Sequence, residues 1–285
     1  MYTTLIEPAA LAAHANDPAW IVVDCRHDLA RLDAGREAYA AGHIPGALFA
    51  DLETELSGAK RDADGVFRGR HPLPDRDAFI ELLRAWGVNQ DSQVVAYDAH
   101  GGMFAARLWW MLRWVGHEAV AVLDGGMPAW QAQMRPVTVD ALIPRPRGNI
   151  VARAALATTV DVEQVLHNLA HGGKTVIDAR APDRFRGENE TIDPVGGHIP
   201  GAKNRFFKDN LQADGRFKTP QQLQAELGIV VGDAHAAIMQ CGSGVTACHN
   251  LLALEVAGMP GAALYPGSWS EWCADPKRPV ATGAD

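Results

Sequence analysis

The sequence contains the same pattern twice. The motif Val-Val-Asp-Cys-Arg at residues 22–26 is followed 154 residues later by Val-Ile-Asp-Ala-Arg at 176–180. The motif Gly-His-Ile-Pro-Gly-Ala at 42–47 returns 155 residues later at 197–202. Self-similarity at an offset of about one domain length indicates that the chain holds two copies of one fold.

Each copy alternates short apolar runs with longer amphipathic segments. In the first copy we predict strands at 21–23, 47–49, 94–97 and 120–123, and helices at 76–86 and 103–115. Continuous apolar strands separated by helices are typical of a mostly parallel sheet that is flanked by helices. The sequence therefore predicts an α/β protein with tandem domains at 1–134 and 158–285, joined by a proline-containing linker at 135–157.

The charge and the cysteine pattern exclude several classes of protein. The net charge of −8 comes without a basic run, which argues against nucleic acid and anionic membranes as partners. The four cysteines form no Cys-x-x-Cys pair, so neither a zinc site nor a disulfide framework is expected. The N-terminus lacks the basic and apolar regions of a secretory signal, and no apolar stretch is long enough to span a membrane. These features predict a cytoplasmic protein.

The strongest chemical feature is the stretch around Cys241. An apolar run at 237–240 ends at this cysteine, the loop that follows contains Gly242 and Gly244, and a helical pattern begins at Ala247. Consecutive backbone N–H groups of such a loop can converge on one point, and the positive end of the helix dipole faces the same point. A thiolate is stabilised there relative to a thiol, which makes Cys241 a candidate nucleophile. The alternative is a small buried core residue.

The two copies differ at this loop. Where the second copy has Cys241, the first copy has Asp98, which cannot act as a sulfur nucleophile. We therefore predict that the N-terminal domain is catalytically inactive and that the C-terminal domain carries the chemistry. Residues that both copies share, such as Asp24 with Arg26 and Asp178 with Arg180, are expected to be structural.

These motifs together resemble the rhodanese fold. Asp-x-Arg after a strand, Gly-His-Ile-Pro-Gly-Ala, and a strand-ending cysteine with a six-residue loop are similar to the pattern of tandem-rhodanese sulfurtransferases. The resemblance implies that Cys241 takes a sulfane sulfur from a donor, becomes a persulfide, and passes the sulfur to cyanide or to a thiol such as thioredoxin. It implies no metal and no cofactor. We expect a monomer.

The resemblance also suggests which donor is used. The loop, with Gly242 and Ser243 after the cysteine, is similar to that of 3-mercaptopyruvate sulfurtransferases. Thiosulfate-using relatives often have basic residues at those two places, and thiosulfate is the alternative donor. Gly242, Gly244, Val245 and Thr246 would bind the transferred sulfur through the loop.

Several further residues have a role implied by the resemblance. Ser243, His71 and an acid would form a proton relay, and the acid is Glu53 or its neighbour Asp51. Arg184 would bind the anionic group of the donor. The family's second arginine falls near Asp193 here, so Arg186 is the candidate replacement.

Two other classes of function use related loops. A cysteine-based phosphatase needs Cys-x5-Arg so that a guanidinium can bind the phosphate. The sixth residue after Cys241 is Ala247, which argues against that class. A non-catalytic rhodanese-like binding module is the other alternative, and the intact loop at Cys241 argues against it.

Overall fold

A computed structural model of the chain describes residues 1–141 and 143–284, and its contacts divide the chain into two compact units. The first unit consists of Met1–Ser57, Pro74–Leu156 and Gln212–Phe217. The second unit consists of Gly58–Leu73, Ala157–Leu211 and Lys218–Asp285. The units therefore do not follow the chain order of the predicted domains. The segment Gly58–Leu73 of the first copy belongs to the second unit. Residues 135–156 of the predicted linker belong to the first unit.

The first unit is built on a parallel sheet. Its strands are β1 (Leu5–Ile6), β2 (Trp20–Asp24), β3 (Leu48–Phe49), β4 (Gln93–Tyr97) and β5 (Val120–Leu123). Its helices are α1 (Pro8–Ala12), α2 (Ala34–Ala41), α3 (Arg76–Ala85), α4 (Ala105–Trp114) and α5 (Gly126–Ala132). The strand order is β1-β5-β4-β2-β3, which places β4 at the centre of the sheet.

The second unit repeats this arrangement. Its strands are β6 (Thr158–Thr159), β7 (Thr175–Asp178), β8 (Lys203–Asn204), β9 (Ala237–Gln240) and β10 (Ala263–Leu264). Its helices are α6 (Val162–His171), α7 (Pro182–Arg186), α8 (Pro220–Val230), α9 (Thr246–Val256) and α10 (Ser268–Trp272), with 3₁₀ turns at Phe207–Asn210 and Ala234–Ala236. The order β6-β10-β9-β7-β8 is that of the first sheet, position by position.

The predicted α/β fold is confirmed by this topology. Every strand pair in the described residues is parallel, and the buried faces of each sheet pack into a separate apolar core. Within the described chain, no helix has the length and apolarity that a membrane crossing requires. In both sheets the central strand, β4 or β9, ends directly before the loop that differs between the copies. The carboxyl edge of a parallel sheet is where such folds place ligand-binding loops.

The shared Asp-x-Arg motifs, which the sequence predicts to be structural, form buried ion pairs. Nη2 of Arg26 lies 2.6 Å from Asp24, and Nη2 of Arg180 lies 2.7 Å from Asp178. Each guanidinium also donates to the carbonyl of the glycine that opens the Gly-His-Ile-Pro turn, at 2.7 and 2.6 Å respectively. The pairs therefore fasten each turn to the end of a strand.

Asp124, directly after β5, has an unusual environment. Asp124 is only 9% exposed, and its carboxylate accepts a hydrogen bond from the backbone N–H of Phe217 at 2.8 Å. Burial raises the pKa of the Asp124 carboxyl to about 6, although the Phe217 N–H opposes the rise. The charged form is therefore disfavoured in the folded protein.

We expect Asp124→Asn to stabilise the protein above about pH 6. Because the folded-state pKa exceeds the ordinary value of about 4, the contribution of Asp124 to stability is fully present below about pH 4. It is lost as the pH rises through the folded-state value of about 6. The amide retains an acceptor for Phe217 and does not ionise, so the variant gains roughly 1 to 3 kcal/mol at high pH. The melting temperatures of Asp124→Asn and the wild type at about pH 4 and about pH 8 test this prediction. An equal difference between the two proteins at both pH values would contradict it.

Candidate active site

The loop after β9 is fixed by hydrogen bonds to α10. The N–H of Trp269 donates to the carbonyl of Cys241 at 3.0 Å, and the N–H of Ser270 donates to the carbonyl of Gly242 at 2.9 Å. The Cys241 N–H donates to the hydroxyl of Ser268 at 3.1 Å. Cys241 itself is 2% exposed. The cysteine thus lies on a backbone that α10 holds in one conformation.

These bonds also decide where the loop's donors point. In a trans peptide the N–H is directed opposite to the carbonyl of the same peptide unit. Because the carbonyls of Cys241 and Gly242 face α10, the N–H groups of Gly242 and Ser243 face the other side of the loop. Gly244 completes the turn with a φ of +75°, and a side chain there would approach the carbonyl of Pro266 to 2.3 Å. Only glycine fits that position.

The corresponding loop of the first unit surrounds a carboxylate side chain with backbone donors. Asp98 is fully buried, and its carboxylate accepts N–H groups from four loop and helix-start residues at 2.7 to 3.0 Å. Those donors are His100, Gly102, Phe104 and Ala105. In the first unit, the Asp98 side chain therefore occupies the position toward which the loop's N–H groups point.

The structure brings Ser243 and His71 together. Nδ1 of His71 lies 2.7 Å from Oγ of Ser243, and the two residues are 2% and 5% exposed. His71 belongs to the Gly58–Leu73 segment, which groups with the second unit although it lies between β3 and α3 of the first. A hydroxyl and an imidazole in hydrogen-bond contact, two residues from Cys241, can pass a proton.

The acid of the predicted relay lies in the first unit. Both candidates, Glu53 and Asp51, come from the segment after β3. Oε1 of Glu53 is 4.0 Å from Nε2 of His27, while Asp51 accepts the backbone N–H of Glu53 at 2.9 Å and pairs with Arg36 at 3.3 Å. Asp51 is therefore engaged locally, and the part of Glu53 in a relay stays a prediction.

Arg184, at the end of α7, is held by two buried carboxylates. Its Nε and Nη2 donate to Glu190 at 2.8 to 3.2 Å, and Nη2 lies 3.1 Å from Asp193. Burial disfavours the charged form of Glu190, but hydrogen bonds from Arg184 and two backbone N–H groups outweigh burial and lower the pKa of its carboxyl. Burial raises the pKa of Asp193 despite the opposing charge of nearby arginines.

The second guanidinium beside the loop is Arg70, which the sequence did not suggest. A Cβ on Gly242 would lie 2.7 Å from Nη2 of Arg70 and 3.8 Å from both Nη atoms of Arg184. Arg186, the predicted candidate, instead pairs with Glu188 at 2.7 Å on the exposed surface. The one sequence signal for Arg70 was its place next to His71.

The remaining loop residues lead into α9, which begins one residue before the predicted start at Ala247. Val245 is buried before α9, and Thr246 is the first residue of that helix. Cys248 is fully buried, and its thiol donates to the carbonyl of Gly244 at 3.3 Å. Among the described residues, no group of three or more His, Cys, Asp or Glu side chains is arranged to hold a metal ion. The described residues in and around this loop therefore include Cys241, the Ser243–His71 pair and two arginines.

Comparison with known proteins identifies the family. The family model of the rhodanese-like domain matches residues 7–133 and 161–275. The chain is 48% identical over 282 residues to the probable 3-mercaptopyruvate sulfurtransferase of Pseudomonas aeruginosa, covering 98% of both chains. It is 40% identical over 282 residues to the putative thiosulfate sulfurtransferase SseB of Mycobacterium tuberculosis, covering 98% of this chain and 97% of the relative.

The fold of the chain is also similar to that of a solved relative. The crystal structure of SseA from Escherichia coli, a 3-mercaptopyruvate sulfotransferase, aligns with a TM-score of 0.79 at 34% identity, covering 94% of this chain and 100% of that one. With two matched rhodanese-like domains and relatives at this identity, the chain belongs to the family of tandem-rhodanese sulfurtransferases.

Proposed function

We propose that the protein transfers sulfur from 3-mercaptopyruvate to a thiol or to cyanide through a persulfide on Cys241. The name of the Pseudomonas aeruginosa relative supports this donor. The observation that carries the proposal is the 2.7 Å contact between His71 and Ser243, next to the anchored loop of Cys241. That contact supplies a proton path, which the 3-mercaptopyruvate reaction needs.

In the first step the Cys241 thiolate attacks the sulfur of 3-mercaptopyruvate. A sulfur–sulfur bond forms, the carbon–sulfur bond breaks, and the electron pair of that bond leaves with the pyruvate enolate. The proton of the donor thiol moves to the enolate carbon, so the products are the Cys241 persulfide anion and pyruvate. Ser243 and His71 pass this proton.

In the second step an acceptor attacks the outer sulfur of the persulfide. Cyanide takes the sulfur and is released as thiocyanate, or a thiol such as that of thioredoxin takes it and is released as a persulfide. The sulfur–sulfur bond to Cys241 breaks, and Cys241 is regenerated as the thiolate. The N–H groups of Gly242, Ser243 and the residues up to Thr246 stabilise the anionic sulfur in both states, in the manner of an oxyanion hole. The inactive N-terminal domain, the monomeric state and the cytoplasmic location belong to this proposal.

A proton-relay test distinguishes 3-mercaptopyruvate from thiosulfate. We expect Ser243→Ala and His71→Asn to lower kcat with 3-mercaptopyruvate by about 100-fold, the usual contribution of a general acid or base. The same variants should change kcat with thiosulfate less than about threefold, because the leaving sulfite needs no proton. His167→Asn, an exposed histidine on α6, is the matched control.

The outcomes separate the possible donors. A larger kcat/KM with 3-mercaptopyruvate in the wild type supports the proposal, and a larger value with thiosulfate makes the protein a thiosulfate sulfurtransferase, as the relative in Mycobacterium tuberculosis is named. Equal losses with both donors would assign Ser243 and His71 a structural role. Absence of turnover with either donor would overturn the proposed function.

A further inference from the structure

A serine of α10 contacts both the loop after Cys241 and the segment that carries His71. The N–H of Ser270 donates to the carbonyl of Gly242 at 2.9 Å. The hydroxyl of the same serine accepts the N–H of Arg70 at 3.1 Å, across 200 residues of the chain. Ser270 is 4% exposed, so both bonds lie where water competes little for them. One residue therefore connects the nucleophile loop to a segment that is remote in sequence.

The hydroxyl of Ser270 is oriented by a second hydrogen bond. Its Oγ donates to the carbonyl of Gly267 at 3.1 Å, which uses the single hydroxyl proton and leaves a lone pair for the Arg70 N–H. Alanine at this position would keep the main-chain bond to Gly242 and lose both side-chain bonds. A single substitution therefore separates the contact with the loop from the contact with the segment.

The segment also packs closely against the start of α10. Gly69 has a φ of +106°, and a Cβ there would lie 2.8 Å from the carbonyl oxygen of Gly267 and 3.3 Å from Oγ of Ser270. Glycine permits both this backbone conformation and this approach. The backbone at Gly69 thus brings the next N–H, that of Arg70, to the Ser270 hydroxyl.

The backbone of His71 is constrained on both sides. His71 follows Arg70, whose N–H is bound by Ser270, and it precedes Pro72, which favours an extended conformation in the residue before it. Its Nδ1 lies 2.7 Å from Oγ of Ser243. The segment therefore reaches the nucleophile loop and α10 through two neighbouring residues, one by its main chain and the next by its side chain.

We propose that Ser270 is a positioning residue, whose hydroxyl binds the N–H of Arg70 and thereby holds the imidazole of His71 at hydrogen-bond distance from Ser243. The consequence for turnover rests on the proposed function, because 3-mercaptopyruvate is the donor that needs a proton path. Proton transfer requires heavy atoms about 3 Å apart, and a misplacement of about 1 Å can lower a rate about 100-fold. Ser270 acts through His71 and takes no proton itself.

The first test is a double-mutant cycle of Ser270→Ala and His71→Asn with 3-mercaptopyruvate. We expect Ser270→Ala to lower kcat about tenfold with KM within about twofold, because the imidazole moves while the donor still binds. In His71→Asn the same substitution should change kcat less than about twofold, since no imidazole is left to position. A tenfold loss in both backgrounds would show that Ser270 acts independently of His71 and would overturn the proposal.

Two further variants distinguish positioning from stability. Ser270→Thr retains the hydroxyl and should recover most of kcat, because it can still accept the Arg70 N–H. Ser92→Ala removes a serine of the first unit that is 1% exposed and whose hydroxyl accepts the N–H of Asn89 at 2.9 Å. This control should keep kcat within about twofold. Equal losses in Ser92→Ala and Ser270→Ala would assign the effect to stability and contradict the role of Ser270.

The second test needs no sulfur donor. The ¹⁵N resonance of Nδ1 of His71 reports the hydrogen bond to Ser243. We expect Ser270→Ala to move this resonance toward its position in Ser243→Ala, whereas Ser92→Ala should leave it in place. An unmoved resonance would overturn the proposal, and turnover of 3-mercaptopyruvate by the wild type alongside it would leave the proposed function intact. A moved resonance without such turnover would support the positioning of His71 and reject the donor.

A substitution in the segment keeps the inference testable if Ser270→Ala does not fold. Gly69→Ala adds a methyl group 2.8 Å from the carbonyl oxygen of Gly267, so the segment must move away from α10. The His71 resonance should then move in the same direction as in Ser243→Ala. A resonance that stays in place in Gly69→Ala would show that the contact with α10 does not position the imidazole, and the role of Ser270 would be rejected.

Discussion

Replacing Cys241 with serine is expected to lower turnover with any sulfur donor by at least about 1,000-fold while leaving the fold intact. The reaction requires a nucleophile that can hold a second sulfur and release it again, and a hydroxyl cannot form a persulfide. Serine is close in size to cysteine, and Cys241 is held mainly by backbone bonds to α10, so the loop conformation should survive. Production of thiocyanate from cyanide measures the loss.

The control for this prediction is another buried cysteine. Burial raises the pKa of Cys273 to about 11, so its thiol is un-ionised at neutral pH and Cys273→Ser should retain turnover within about twofold. Mass spectrometry after incubation with the donor should find one added sulfur atom on the Cys241 peptide of the wild type and of Cys273→Ser. Turnover by Cys241→Ser above about a tenth of the wild-type value would contradict the assignment of the nucleophile.

Local sequence signals were sufficient for four strands of the first sheet and for the strand, loop and helix around Cys241, but they did not predict β1 at Leu5–Ile6. The apolar run predicted at 94–97 is β4, Gln93–Tyr97, because a strand buried on both faces selects apolar residues at consecutive positions. The loop at Cys241 was predicted from its glycines, and Gly244 has the left-handed backbone that only glycine adopts readily. The repeat gave each of these signals twice.

The approach of Arg70 to the loop could not be predicted from local signals. Arg70 and Asp193 are 123 residues apart, and neither periodicity nor a glycine pattern relates them. Arg186 was the natural candidate because it is close to Arg184 in sequence, but Glu188, two residues on, satisfies its guanidinium at the surface. The grouping of Gly58–Leu73 with the second unit, which brings Arg70 and His71 to the loop, results from tertiary contacts that sequence patterns do not encode.

Replacing Asp98 with alanine is expected to destabilise the first unit by at least about 3 kcal/mol. The Asp98 carboxylate accepts four backbone N–H groups, and the residue is fully buried. Its removal leaves those donors without a partner in a buried loop, where each unsatisfied group costs about 1 to 3 kcal/mol before relaxation. The melting temperature and the hydrogen exchange of residues 100–105 measure the effect.

Asp75 provides the matched control because it uses the same chemistry at the surface. Its carboxylate caps α3 by accepting N–H groups from Asp77 and Ala78 at 3.0 and 2.9 Å in an exposed setting. Water can replace the lost bonds there, so Asp75→Ala should cost only about 1 kcal/mol. If Asp98→Ala costs no more than Asp75→Ala, the first-unit loop does not depend on a bound anion, and the likeness drawn between Asp98 and the Cys241 thiolate fails. A clearly larger destabilisation by Asp98→Ala than by Asp75→Ala would support a shared loop that selects a negative charge. One copy supplies that charge as a carboxylate, and the other uses it as a nucleophile.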